Sequence, residues 1–190
     1  MEKQLEVPLQ IAISLLEKSG YRYAVIGGLA LSQLGIVRAT YDIDIKVLVP
    51  DLDYAKIRSV LKSAFPLPAR SKAPEDPLIV AVIINDVIVD FLLTIPGYEE
   101  LIIERAYQID IGGFITWICS AEDLVIQKIV ADRDKDLLDV ESILVVQHDK
   151  LDYQYIESWL VKFGEALDQP ELLSKYHTLL DKASNIYRNL

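Results

Sequence analysis

The sequence is nearly without cysteine and histidine. One cysteine, Cys119, excludes an internal disulfide and every zinc site built on several thiolates. Two histidines, His148 and His177, argue against a histidine-rich metal centre and against a Ser-His-Asp triad. Positive charge is also scarce, with 19 Lys and Arg against 29 Asp and Glu and a formal net charge of −10. A chain of that balance repels nucleic acid as a whole, so any RNA or DNA contact has to use a local basic patch. No uninterrupted apolar run reaches the about 18 residues of a membrane span. The first twenty residues lack a basic leader, and Pro8, Glu17 and Lys18 break their apolar stretch. No targeting segment is expected, and the single thiol fits a reducing cytoplasm. Low hydrophobicity is not among the deficits: 52% of the 190 residues are hydrophobic, enough to bury one sizeable core. Chemistry in such a chain falls to carboxylates, lysines and backbone.

Periodicity orders the chain into an α/β part followed by a helical part, with the boundary near residue 120. Leu5, Leu9, Ala12 and Leu16 recur at helical spacing, so residues 3–19 read as an amphipathic helix stopped by Gly20. Tyr23-Ala24-Val25-Ile26 reads as a strand, Gly27-Gly28 as a turn and the segment up to Gly35 as a helix. Residues 40–49 alternate and end at Pro50, predicting a strand. Asp51 is expected to cap the next helix, whose apolar face is Tyr54, Ile57, Leu61, Ala64 and Phe65. The proline-rich stretch 66–77 is a loop, and Asn85-Asp86 is a hairpin turn between strands 78–84 and 87–94. Residues 114–119 are a further strand, and Ser120 opens a helix with Asp123 as an imperfect capping box. Helices then follow over 121–133, 135–147, 152–168 and 171–188, with Trp159 assigned to a buried face of the third. The resulting domains are 1–120, an α/β core, and 121–190, a C-terminal helical region.

Asp42 and Asp44 flank Ile43 on a strand. Period-two geometry puts both carboxylates on one face. Two carboxylates side by side repel unless a cation neutralises them, and an oxygen-rich pair suits Mg²⁺ or Mn²⁺. The plainer reading is the polar edge of an amphipathic strand, and for a lone Asp-x-Asp it is the stronger one. Gly27-Gly28 between strand and helix lets backbone approach a phosphate, or is simply a tight turn. Asp90 interrupts the apolar run VIVDFLL, where a buried carboxylate needs a partner. It either points toward the strand of Asp42 and Asp44, completing a two-cation site, or lies on a surface edge.

The conjunction is more specific than its parts. The stretch VIGGLALSQLGIVRATYDIDIKV, with Arg38 and Thr40 just before the aspartates, resembles the signature of the DNA polymerase β superfamily of nucleotidyltransferases. Its R-x-T-x-D-x-D form is similar to the small prokaryotic nucleotidyltransferases of abortive-infection and toxin–antitoxin type. SAEDLVIQKIVADRDKDLLDVESIL continues the resemblance with Lys128, Arg133, Lys135, Asp136 and Asp139. One departure is Gly28, where many relatives carry serine; Ser32, one turn along, is an alternative phosphate contact.

The resemblance implies a mixed β-sheet with helices and a C-terminal helical region. It implies an enzyme that binds ATP, GTP or another NTP, uses Mg²⁺ (or Mn²⁺), and transfers NMP to a hydroxyl acceptor. Asp42, Asp44 and Asp90 would bind metal and carry catalysis; Gly27 and Gly28 would cradle the triphosphate. Lys128, oriented by Asp136, would contact phosphate or base, and Arg38 would contact phosphate or form a structural ion pair. The acceptor is open: an RNA such as a tRNA end, gripped through Arg70 and Lys72, a protein, or a small molecule such as an aminoglycoside or lincosamide. A toxin with a cognate antitoxin ranks first and an antibiotic-modifying enzyme second. The contrasting expectation is a non-catalytic nucleotide-binding or partner-binding module.

Overall fold

The computed structural model describes residues 3–68 and 76–188; Arg70 and Lys72 lie outside the described residues. The chain divides into two compact units, the first running up to Ala30 and over Arg38–Cys119, the second comprising Leu31–Val37 and the chain from Ser120 on.

The first unit is built on a six-stranded mixed sheet, in the order β3-β4-β2-β1-β6-β5. Its strands are β1 (Tyr23–Ile26), β2 (Asp42–Val47), β3 (Ile79–Ile84), β4 (Val87–Leu93), β5 (Tyr107–Ile111) and β6 (Phe114–Ile118). β1 is antiparallel to β2 and parallel to β6, β2 is parallel to β4, and the outer pairs β3–β4 and β5–β6 are antiparallel hairpins. The β3–β4 turn is tight because Asn85 and Asp86 both adopt positive φ, at 48° and 64°, conformations that Asn and Asp tolerate well and that match the twist of the flanking strands.

Alternation along the central strands sorts the residues between two faces. Ile43, Ile45 and Val47 of β2 and Val89, Phe91 and Leu93 of β4 are buried in one core. Helix α1 (Lys3–Lys18) adds Leu5, Leu9, Ala12, Ile13 and Leu16, and α3 (Tyr54–Ala64) adds Ile57 and Leu61. Burial of about a dozen such side chains, at roughly 1.5–3 kcal/mol each, fixes which face of the sheet is inside. Register then leaves no choice for the alternate residues Asp42, Asp44 and Asp90: a one-residue slip would exchange the two sets.

One local expectation changes in this unit. Asp51 does not cap α3: it lies at φ 54° in the short 3-10 turn Pro50–Leu52, and Asp53 Oδ1 accepts the Lys56 amide at 3.0 Å instead. The segment between β4 and β6, without a marked periodicity, holds α4 (Tyr98–Glu104) and β5.

The second unit takes in the end of the short helix α2 (Gly27–Gln33) and then α5 (Ala121–Ala131), α6 (Asp134–Val146), α7 (Tyr153–Leu167) and α8 (Glu171–Tyr187). Ser120 caps α5 as its sequence suggests, its Oγ accepting the Asp123 amide at 3.1 Å. Asp123 itself is fully buried and satisfied, accepting from Ser120 Oγ and from Tyr155 Oη, each at 2.8 Å. Trp159 is half-buried and not a core residue; Lys162 Nζ stands 4.1 Å from the centre of its ring. Charge on the ammonium is attracted to the ring face, so an aromatic at the rim of a helix stays partly in water.

Candidate active site

The site-bearing face is the one the core leaves free. Asp44 and Asp90 are register partners across β2 and β4, and Asp42 lies opposite Ile88 one pleat away. All three carboxylates therefore share one face of two neighbouring parallel strands. Asp42 is exposed, whereas Asp44 and Asp90 are half-buried. Burial raises the Asp90 carboxyl above its ordinary value, and the negative charge of Asp42 raises it further. Both causes disfavour the charged form, which is the electrostatic condition a divalent cation would relieve.

Hard, oxygen-only donors fit Mg²⁺ or Mn²⁺ in kind. They are not gathered as a ready ligand set: among the described residues no group of three or more His, Cys, Asp or Glu is close enough to hold a metal. Ionised carboxylates on adjacent strands gain nothing by converging without a cation.

The glycine turn closes on this face. Ile26, the last residue of β1, is the register partner of Asp44. Gly27 follows at φ 64°, and a β-carbon there would fall 2.0 Å from Asp44 Oδ2. Gly27 is thus glycine twice over, by backbone conformation and by the carboxylate packed against it. Gly28 is buried, and a β-carbon on it would fall 2.6 Å from both Cβ and Oγ1 of Thr40. That contact gives the departure from serine at position 28 a steric cause. Thr40 in turn donates to Asp42 Oδ1 at 2.9 Å. Arg38 is half-buried and belongs to this same unit. Ser32 is counted with the second unit, where its Oγ accepts from Gln33 Nε2 at 3.3 Å.

Lys46 continues the line of Asp42 and Asp44. It is 4% exposed and pairs with Glu99 in the first turn of α4, whose other carboxylate oxygen accepts the Ile95 amide at 2.8 Å. Sequence reading passed over this pair, although Lys46 has the same strand parity as the two aspartates.

The second segment of the resemblance forms its own network within the helical unit. Lys128 on α5 donates to Asp136 Oδ1 at 2.9 Å and to Asp139 Oδ2 at 2.7 Å, both on α6. Arg133 Nε reaches Asp136 Oδ2 at 2.5 Å. Lys128 is 8% exposed, Asp136 1% and Asp139 5%. Burial alone would raise the Asp136 carboxyl, but hydrogen bonds from Arg133 and Lys128 outweigh it and hold the group below the usual carboxylate range. Asp132 takes no part; it accepts from Lys175 of α8 at 2.5 Å. An ammonium has three protons, and this network uses two of those on Lys128.

A mixed sheet with helices, followed by a helical region, is also the fold of nucleotidyltransferase-like proteins. The crystal structure of an antigenic nucleotidyltransferase-like protein from Paracoccidioides brasiliensis matches over 93% of this chain and 93% of its own, with a TM-score of 0.51 at 16% identity. The solution structure of the antibiotic-resistance factor ANT(2'')-Ia matches over 90% of this chain and 97% of its own, with a TM-score of 0.59 at 15% identity. At such identities the likeness is one of fold. No curated protein sequence matches. Residues 6–187 match the family described as "Nucleotidyltransferase of unknown function (DUF6036)", and the chain belongs to that family of enzymes. No helix among the described residues is long and apolar enough to cross a membrane.

Proposed function

We propose that this protein transfers a nucleoside monophosphate from an NTP to a hydroxyl acceptor and releases pyrophosphate, with Mg²⁺ or Mn²⁺ as cofactor. The observation that carries the reading is the placement of Asp42, Asp44 and Asp90 on one sheet face beside Gly27-Gly28. The three aspartates would hold the cation, which supplies neutralisation of the phosphate charge and of the departing pyrophosphate. Gly27 and Gly28 would cradle the triphosphate through backbone N–H groups. The acceptor oxygen attacks the α-phosphorus, the bond to the pyrophosphate oxygen breaks, and the acceptor proton passes to Asp90. Lys128, oriented by Asp136 and Asp139, keeps one ammonium proton for a phosphate oxygen, and Arg38 supplies a second positive charge.

The acceptor is RNA, protein or a small molecule, and the R-x-T-x-D-x-D form supports a toxin of a cytoplasmic toxin–antitoxin pair ahead of an antibiotic-modifying enzyme. The decisive assay offers each NTP with Mg²⁺ and follows pyrophosphate release, with Asp44→Asn as control. Release by the wild type and none by the variant supports catalysis; NTP binding without release supports a non-catalytic module. Growth arrest on expression, against raised aminoglycoside or lincosamide tolerance, separates the two physiological roles.

A further inference from the structure

Thr40 precedes β2 and has no role in the proposed reaction, yet its side chain joins the two halves of the site. Its hydroxyl lies 2.9 Å from Asp42 Oδ1 and 3.3 Å from the Asp42 carbonyl oxygen. A hydroxyl has one proton, and the shorter contact takes it. The same side chain stands over Gly28, 2.6 Å from where a β-carbon would be. Asp42 is exposed at the start of its strand.

We propose that Thr40 is a positioning residue for the cation site: its hydroxyl fixes the Asp42 carboxylate with Oδ2 turned out for the ion, and its bulk confines position 28 to glycine. The inference rests on the reading of Asp42 as a cation ligand. Carboxylates that bind metal are ordinarily held by a second hydrogen bond, and losing such a partner costs about 10–100-fold in metal affinity. Position 28 follows from position 40. A serine side chain cannot share the space that Thr40 fills, so the hydroxyl of this site comes from the segment leading into β2 and not from the glycine turn.

Thr40→Val keeps the shape and removes the hydroxyl, while Thr40→Ser keeps the hydroxyl. Mn²⁺ titration followed by electron paramagnetic resonance, with a non-hydrolysable NTP present, reads the site without turnover. The expected result is Mn²⁺ affinity lowered about 10–100-fold in Thr40→Val and near wild type in Thr40→Ser. Wild-type affinity in Thr40→Val overturns the positioning role and leaves the proposed function standing. No Mn²⁺ binding by the wild type overturns both. Metal-free melting curves test the steric half: Gly28→Ser should lower the melting temperature in the wild type and far less in Thr40→Ala. An equal drop in both backgrounds overturns the coupling of positions 28 and 40.

Discussion

Asp44 and Asp90 face each other across two parallel strands, and only Asp90 lies on a strand whose neighbouring residues are otherwise all apolar. Its carboxyl is raised first by burial and then by Asp42. A raised acid is bound to its proton more tightly in the folded chain than in the unfolded one. The associated stability is present in full below the ordinary carboxylate value of 3.8 and is lost as pH rises through the higher folded value. Asp90→Asn should therefore raise the melting temperature at pH 7, and the gain should vanish below pH 3.8. Turnover should fall about a hundredfold or more, the lower end of what a positioned general base contributes. Calorimetry across pH, beside pyrophosphate release, checks both; a variant less stable than wild type at pH 7 removes the repulsion argument.

The Lys128 network should behave in the opposite sense. Arg133 and Lys128 hold Asp136 low, so its contribution is full above the ordinary value of 3.8 and fades as pH falls through the lower folded value. Lys128→Ala removes the cation that Asp136 and Asp139 share, leaving Arg133 on Asp136, and should cost about 3–5 kcal/mol at neutral pH. The loss should shrink in acid, where Asp136 takes up a proton. Urea melts at pH 7 and pH 3 measure the difference. NTP affinity of the folded variant, by titration calorimetry, measures the phosphate role separately, and an unchanged value removes Lys128 from the site.

Most of the fold is legible in this sequence because its hydrophobic periods are strong. The helix read over 135–147 is observed at Asp134–Val146, and that over 152–168 at Tyr153–Leu167. Asn85-Asp86 marks the hairpin by turn chemistry alone, through side chains that tolerate positive φ. The stretch from Ile95 to Ile111 was not legible: β5 is an edge strand with one buried residue of five, so it lacks an alternating pattern. The common face of Asp42, Asp44 and Asp90 follows from strand parity and one register. Lys46 with Glu99 does not, because the lysine's partner is 53 residues away on a helix the periodicity does not announce. Lys128 sits on the inward stripe of α5, as its spacing from Leu124 and Val125 requires. That it meets both Asp136 and Asp139 depends on how α5 packs on α6, which no local pattern encodes.

Tyr176 shows a cost elsewhere in the helical unit. Its ring is fully buried on α8 and its hydroxyl finds no hydrogen-bond partner among the described residues. Burial pushes the phenol's pKa up, with the charges of Glu157 and Tyr153 adding to it. A buried donor left unmade loses its water without replacement, at about 1–3 kcal/mol. Tyr176→Phe should recover about 1 kcal/mol, seen as a rise of roughly 2–4 °C in melting temperature for a chain of this size. An unchanged or lowered melting temperature would mean that the hydroxyl is satisfied in solution.

Gly27 offers the sharpest separation of local strain from site geometry. It shares positive φ with Gly20 and Gly113, at 64°, 76° and 95° respectively. A methyl group at Gly20 or Gly113 meets nothing within 4 Å, whereas at Gly27 it lands 2.0 Å from Asp44 Oδ2. Gly20→Ala and Gly113→Ala should then cost only the backbone term, about 1 kcal/mol each, and leave catalysis alone. Gly27→Ala bears the same backbone term and must also displace the Asp44 carboxylate or shift the turn after β1. It should lose more stability than either control, by about 1–3 kcal/mol as for other overpacked sites. Mg²⁺ response is the second readout. Thermal stabilisation by Mg²⁺ with NTP should persist in Gly20→Ala and Gly113→Ala and be abolished in Gly27→Ala. If Gly27→Ala keeps the full Mg²⁺ response, the cation does not depend on Asp44, and the glycine serves the turn alone.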